Sequence, residues 1–228
     1  MRSFGRRQAV DGLTVAFRAG EVTGLLGPNG AGKTTTLYLL VGFLWPTHGA
    51  VRLDGQEITC LPFFRRARAG IQYLPQEPSV FLRASVKGNL RLALEGLRRP
   101  WNGEVDAVVA ELGLTGLVRR PVGKLSAGER RKVEVARALV ARPAFLLLDE
   151  PFSGVDPLTV AELAGLLRRL AGSGIGIAIC DHNVHDTLRI TDRAYLIQEG
   201  HILCAGSPGE ILADPRARVA YLGEGFSL

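Results

Sequence analysis

The stretch Gly27-Pro28-Asn29-Gly30-Ala31-Gly32-Lys33-Thr34 constrains this chain more than any other, because an apolar strand-like run, Val22 to Leu26, leads into it and a helix-like run leaves it near Lys33. Its glycines, lysine and threonine fill every fixed position of a phosphate-binding loop, in the strand, turn and helix setting that such a loop needs. Glycine allows the tight turn and lets backbone amides aim at one point, where the positive end of the following helix dipole also acts. A polyphosphate suits that environment. The Lys33 ammonium is placed to reach the β- and γ-phosphates, and the Thr34 hydroxyl to bind the magnesium that accompanies ATP. Thr35 completes the candidate ATP-contacting loop.

Composition sets the outer limits. The 228 residues are 46% hydrophobic, enough for one large α/β domain with a substantial core. Apolar runs are broken by Gly, Arg or Pro well short of the roughly 18 residues of a membrane span, and no apolar signal region follows the arginine-rich start. A soluble, cytoplasmic protein is expected. Cys60, Cys180 and Cys204 are odd in number and far apart, which suits reduced, buried thiols better than disulfides or a zinc site. The net charge of +6 arises from short clusters, Arg65-Arg66 with Arg68, Arg98-Arg99, Arg119-Arg120 and Arg130-Arg131-Lys132. These clusters are scattered and carry no interleaved aromatic platforms, so solvated helix faces, some beside acidic lipid or ATP, are expected rather than a nucleic-acid surface.

Periodicity predicts strands over Val10 to Phe17, Val22 to Leu26, Val51 to Leu53 and Ile71 to Leu74. From Val86 to Leu139 the pattern is helical: Leu90, Leu94 and Leu97 share one face, as do Val105, Val108, Val109 and Leu112. A single domain over 1–228, with a helical subdomain at about 86–140, is the expected organisation. Phe145 to Leu148 and Ile175 to Cys180 read as buried parallel strands around a helix through Leu163, Leu166, Leu167 and Leu170. Glu199-Gly200 marks a hairpin, and short helices at about 207–222 close the chain.

Two further constellations give the loop chemistry. Asp149 and Glu150 end a buried strand, where parallel sheets gather ligand-binding groups. Asp149 there would hold magnesium, and Glu150 would orient and polarise the water attacking the γ-phosphate. Ser126-Ala127-Gly128-Glu129 opens a helix. It reads equally as an ordinary capping box and as a second anion site made of the Ser126 hydroxyl, the Gly128 amide and the helix dipole. Spacing leaves both readings open.

These elements, in this order and separated by a helical insertion, resemble the ATP-binding cassette of the ABC superfamily over almost the whole chain. That resemblance implies an α/β fold of the ABC-type P-loop NTPase class, with a mixed but mostly parallel core sheet, an N-terminal antiparallel β part and an inserted helical subdomain. It implies a homodimer in which the phosphate loop of one copy and Ser126, Ala127 and Gly128 of the other sandwich each ATP. It assigns Gln76 to magnesium and to sensing a membrane partner, Asp156 to the loop crossing the dimer interface, His182 to the γ-phosphate, and Phe4 to stacking on adenine. Two departures stand out. Ala127 replaces the usual glycine, which would strain the backbone by ~1 kcal/mol if φ there were positive. The strand that normally precedes Phe4 is expected to be missing.

Within the superfamily, Tyr73 to Phe81, Leu148 to Pro157, Cys180 to Val184 and the ending Tyr221 to Leu228 are similar to the ATP-binding subunits of lipopolysaccharide-export systems. That likeness implies two permease subunits of the LptF/LptG type, contacted near Phe81 and Arg83, and a peripheral position on the cytoplasmic face of the inner membrane. A branched-chain amino-acid importer ATPase is the alternative. A nucleic-acid or ribosome-acting ATPase is less well matched, since a long coiled-coil insertion and a second cassette are both lacking.

Overall fold

The computed structural model describes residues 1–5 and 7–223. The chain begins with an antiparallel pair, β1 (Arg2–Phe4) and β2 (Arg7–Val10), then enters β3 (Val22–Leu26) and α1 (Lys33–Val41). A small hairpin, β4 (Arg52–Leu53) with β5 (Gln56–Glu57), precedes α2 (Phe63–Arg68) and β6 (Ile71–Leu74). Helices α3 (Val86–Gly96), α4 (Gly103–Glu111) and α5 (Ala127–Leu139) follow. The chain then alternates through β7 (Phe145–Asp149), α6 (Pro157–Gly172), β8 (Gly176–Cys180) and α7 (Val184–Ile190). It ends in the hairpin β9 (Arg193–Gln198) and β10 (His201–Gly206), the short helices α8 (Pro208–Ala213) and α9 (Pro215–Ala217), and one π-helical turn, Arg218–Leu222.

The main sheet has the order β10-β9-β3-β8-β7-β6, parallel throughout except for the β10–β9 pair. Its strands are apolar on both faces because helices cover both. Leu146, Leu148, Ile177 and Ile179 face the cluster built with α3, α5 and α6, while Leu147, Ala178 and Cys180 face Leu37 and Val41 of α1. Each fully buried Leu or Ile contributes about 1.5–3 kcal/mol relative to exposure. Parallel pairing in register, with Leu148 beside Ile179 and Asp149 beside Cys180, brings the carboxyl ends of β3, β6, β7 and β8 to one edge. Ligand chemistry in such sheets collects along that edge.

Three expectations need correction. Residues 11–17 form no strand, although Leu13, Val15 and Phe17 do pack on the core. The backbone of Ala16 is engaged by a side chain instead of a neighbouring strand: its N–H donates to the Tyr195 hydroxyl at 3.1 Å, and that hydroxyl donates to its carbonyl at 3.3 Å. A cavity of about 600 Å³ lies between this segment and Val51 to Leu53. Phe4 itself ends a short strand, Arg2–Phe4, laddered to Arg7–Val10. Arg66 does not decorate a solvated face; it is fully buried. Of the cysteines, Cys180 and Cys204 are buried but Cys60 is exposed.

Candidate ATP-binding and hydrolysis site

The loop between β3 and α1 has the backbone its glycines were expected to supply. Gly32, the N-cap of α1, sits at φ 108°, and Gly27 at φ 146°. A Cβ on Gly32 would collide with the Ala9 carbonyl, and one on Gly27 with the Ile197 carbonyl. Both positions therefore require glycine for space as well as for conformation. No acidic residue occupies the first turn of α1, and no side chain caps it. Its amides and dipole are thus directed to an anion, a fit for the phosphates of a nucleotide. Lys33 is buried, and its ammonium donates to the carbonyls of Gly27 at 2.8 Å and Pro28 at 3.1 Å, curling along the inside of the loop. Pro28, Asn29 and Gly30 are exposed on the loop's crest, Ala31 is buried, and Thr34 and Thr35 are half-buried where the helix starts.

Asp149 stands directly beneath. The Thr34 hydroxyl donates to Asp149 Oδ1 at 3.2 Å, and the Tyr73 hydroxyl donates to Oδ2 at 3.1 Å. Burial raises the Asp149 pKa above the ordinary carboxylate range, and the donors from Tyr73, Thr34 and Cys180 oppose that rise. A buried carboxylate supported by neutral hydroxyl and thiol donors, with a threonine hydroxyl beside it, matches the hard oxygen set that magnesium takes when phosphates complete its shell. Among the described residues there is no cluster of three or more His, Cys, Asp and Glu suited to a metal.

Glu150 begins the turn after β7 with φ 45°, in the left-handed region that non-glycine residues seldom occupy. Its amide donates to the Cys180 carbonyl at 2.6 Å, which ties the strained residue to the neighbouring strand. The turned backbone points the carboxylate away from the sheet, where Gln76 Nε2 donates to Oε2 at 2.8 Å and His182 Nδ1 lies 3.3 Å from the same oxygen. Gln76, Glu150 and His182, which are far apart in sequence, therefore form one cluster. Sequence reading missed the residue that positions this histidine. Asp181, fully buried, accepts from the amides of Phe152 at 3.2 Å and Asn183 at 2.8 Å, locking the turn after β8 to the one after β7. Its signal was a carboxylate directly after a fully apolar strand, the same signal that marked Asp149.

The other predicted residues lie apart from this cluster. Ser126 caps α5, accepting from the Glu129 amide at 3.1 Å while the Glu129 carboxylate accepts from the Ser126 amide at 2.8 Å. The capping-box reading is thus realised, and it leaves the anion-site reading to a partner that approaches from outside. Gly128 packs on Thr159, and the Thr159 hydroxyl donates to Asp156 at 2.7 Å, which places the α5 start beside the Asp156 turn. Ala127 is the first residue of α5 and is absent from the residues with positive φ, so the strain expected of a non-glycine there does not arise. Ala127→Gly should accordingly leave ATP turnover within about twofold, since the substitution changes helix-start propensity by less than ~1 kcal/mol; a phosphate-release assay checks this. Phe81 and Arg83 are exposed beside the Gln76 loop. The Phe81 backbone is pinned by buried Asn89, and its ring lies 5.6 Å from the Arg137 guanidinium. Phe4 lies in β1, and its side chain is outside the described residues.

The family model described as ABC transporter matches residues 10–153, and one described as branched-chain amino acid ATP-binding cassette transporter matches residues 201–227. A probable ABC transporter ATP-binding protein of Azorhizobium caulinodans is 48% identical across the whole chain, covering 82% of that protein. The lipopolysaccharide export system ATP-binding protein LptB of Acidithiobacillus ferridurans is also 48% identical across the whole chain, covering 95% of that protein. Among solved structures, the ADP conformation of an ATP-binding cassette of an ABC transporter superposes with a TM-score of 0.88 at 29% identity, covering 98% of this chain and 96% of that one. The phosphate loop, the buried carboxylate beneath it and these full-length likenesses agree: the chain belongs to the ABC transporter family, as an ATP-binding cassette.

Proposed function

We propose that this chain is the ATP-hydrolysing subunit of an exporter that extracts lipopolysaccharide from the inner membrane, acting as a homodimer on two permease subunits. The observation that carries the hydrolytic reading is the meeting of Gln76, Glu150 and His182 beside the Thr34–Asp149 pair. Both contacts to Glu150 use Oε2, so Oε1 is the oxygen offered to a water, which it would orient and deprotonate. Lys33 would exchange its carbonyl contacts for β- and γ-phosphoryl oxygens, and the α1 amides would hold the rest of the polyphosphate. Magnesium, when bound, would supply charge neutralisation on the β- and γ-phosphoryl groups; Thr34, Asp149 and Gln76 are the residues that would hold it. His182, whose Nδ1 lies 3.3 Å from Glu150, would turn a ring N–H to the terminal phosphoryl group when that group is bound.

The second half of each site is supplied by Ser126, Ala127 and Gly128 of the other copy, with Asp156 at the shared boundary and Phe4 beside the base. The domain spans 1–228 and sits peripherally on the cytoplasmic face of the membrane, with Phe81 and Arg83 toward the permeases. Support for the cargo comes from the full-length likeness to a relative named for lipopolysaccharide export. The match of residues 201–227 favours a second reading, an importer of branched-chain amino acids. Permease subunits that copurify with this chain, reconstituted with it in lipopolysaccharide-containing vesicles, should release lipopolysaccharide only with hydrolysable ATP. ATP-driven uptake of leucine or isoleucine without movement of lipopolysaccharide would replace the export reading with the importer.

A further inference from the structure

Tyr73 carries a hydroxyl from the sheet to a buried carboxylate. It lies on β6, beside Leu147 of β7, and its hydroxyl donates to Asp149 Oδ2 at 3.1 Å. Thr34 takes the opposite oxygen, Oδ1, at 3.2 Å. Donors on both oxygens fix the rotation of a carboxylate plane; the Cys180 thiol also donates to this carboxylate, and Tyr73 supplies the hydroxyl bond to Oδ2. The carboxylate itself is 3% exposed, so bulk water does not compete for the task.

Tyr73 is in turn held by other rings. Tyr38 of α1 meets it edge-on with centroids 6.0 Å apart, and Phe43, just beyond α1, meets it edge-on at 5.7 Å. Phe43 also contacts Tyr38 at 5.6 Å and Phe63 of α2 at 4.5 Å, and it is 45% exposed. The ring cluster therefore runs from the surface at Phe43 to a hydroxyl on the buried carboxylate. Edge-to-face pairs of this kind contribute about 0.5–1.5 kcal/mol beyond area burial and fix ring orientation. A hydroxyl facing a carboxylate oxygen, which only accepts, is the donor of the pair.

We propose that Tyr73 is a positioning residue for Asp149: its hydroxyl, aimed by Tyr38 and Phe43, turns the carboxylate so that Oδ1 faces Thr34 and the cation that accompanies ATP. This rests on the reading of Thr34 and Asp149 as the magnesium-holding pair. Outer hydrogen bonds that orient a ligating group commonly change metal affinity by 10–100-fold.

The test is nucleotide binding measured by calorimetry on the intact chain, with and without magnesium, for Tyr73→Phe, Phe43→Leu and Asp149→Asn. Tyr73→Phe keeps the ring and the packing and removes only the donor. The magnesium concentration giving half-maximal tight binding should rise about tenfold or more in Tyr73→Phe, while ATP affinity in EDTA stays at the wild-type value. Phe43→Leu, which loosens the ring but leaves the hydroxyl, should raise it by a smaller factor. An unchanged magnesium requirement in Tyr73→Phe, or an equal loss of affinity with and without the metal, would overturn the proposal. If Asp149→Asn raises the requirement and Tyr73→Phe does not, the positioning role alone falls. If Asp149→Asn also leaves it unchanged, the magnesium reading falls with it.

Discussion

Glu150→Gln is expected to lower ATP turnover by about 10²–10⁴-fold, the range that a positioned proton acceptor supplies, while nucleotide affinity stays close to wild type. The substitution keeps the shape of the side chain and an oxygen that can still accept from Gln76, so the cluster with His182 stays assembled. What it removes is the negative charge and the basic atom facing the water. The backbone at φ 45° is retained, because glutamine meets the same left-handed geometry as glutamate. Lys33, Thr34 and the α1 amides, which are proposed to bind the phosphates, are untouched. Substrate should therefore accumulate uncleaved, and two copies should remain closed on it. Phosphate release gives the turnover, and light scattering behind size exclusion gives the mass with ATP and magnesium. Turnover within tenfold of wild type would assign the base to another residue. A monomer at saturating ATP would count against the shared site.

The phosphate loop was legible in the sequence because its requirements are local: glycines where φ is positive and a Cβ has no room, with a lysine and threonine at fixed offsets. The hairpin at Glu199-Gly200 was legible for the same reason, since both residues take positive φ, 49° and 83°, as its tight turn demands. The buried strands could be read as well, because a strand covered on both faces is continuously apolar. The segment at 11–17 carries an equally good alternation and is not a strand. A ladder needs a partner with free hydrogen-bonding groups, and periodicity says nothing about which neighbour arrives. Tyr195, nearly two hundred residues away, supplies the bonds to Ala16 instead. Glu150 was legible as a carboxylate ending a buried strand, whereas Gln76 and His182 came from family likeness, as nothing local relates three polar residues on three loops. Their convergence follows from sheet order, which puts β6, β7 and β8 side by side.

Arg66 shows the same limit where charge is concerned, and it makes the largest stability prediction. An arginine among arginines reads as solvated, yet its side chain is fully buried and bonded wholly to backbone. Nη1 donates to the carbonyls of Leu39 at 2.6 Å and Leu40 at 2.8 Å, Nη2 to Thr59 at 2.7 Å, and Nε to Leu61 at 2.9 Å. Leu39 and Leu40 lie in the last turn of α1, where carbonyls lack helical partners and the dipole is negative. The planar guanidinium matches this need with several donors in a fixed fork, while Gly42 leaves room for it at the helix end. Arg66→Met fills most of the same volume but strands these acceptors, each costing about 1–3 kcal/mol if left unpaired. With partial relief from water, a total loss of about 3–5 kcal/mol is expected, which is a large share of the stability of a typical domain. Urea denaturation should show a lower midpoint at unchanged slope. Arg66→Lys should recover only part of the loss, because one ammonium cannot serve carbonyls on both α1 and the 59–61 segment. A change below ~1 kcal/mol in Arg66→Met would mean that the carbonyls find other donors. Because α1 starts at Lys33 and ends at these carbonyls, loosening its far end should also weaken ATP binding in the fraction that remains folded.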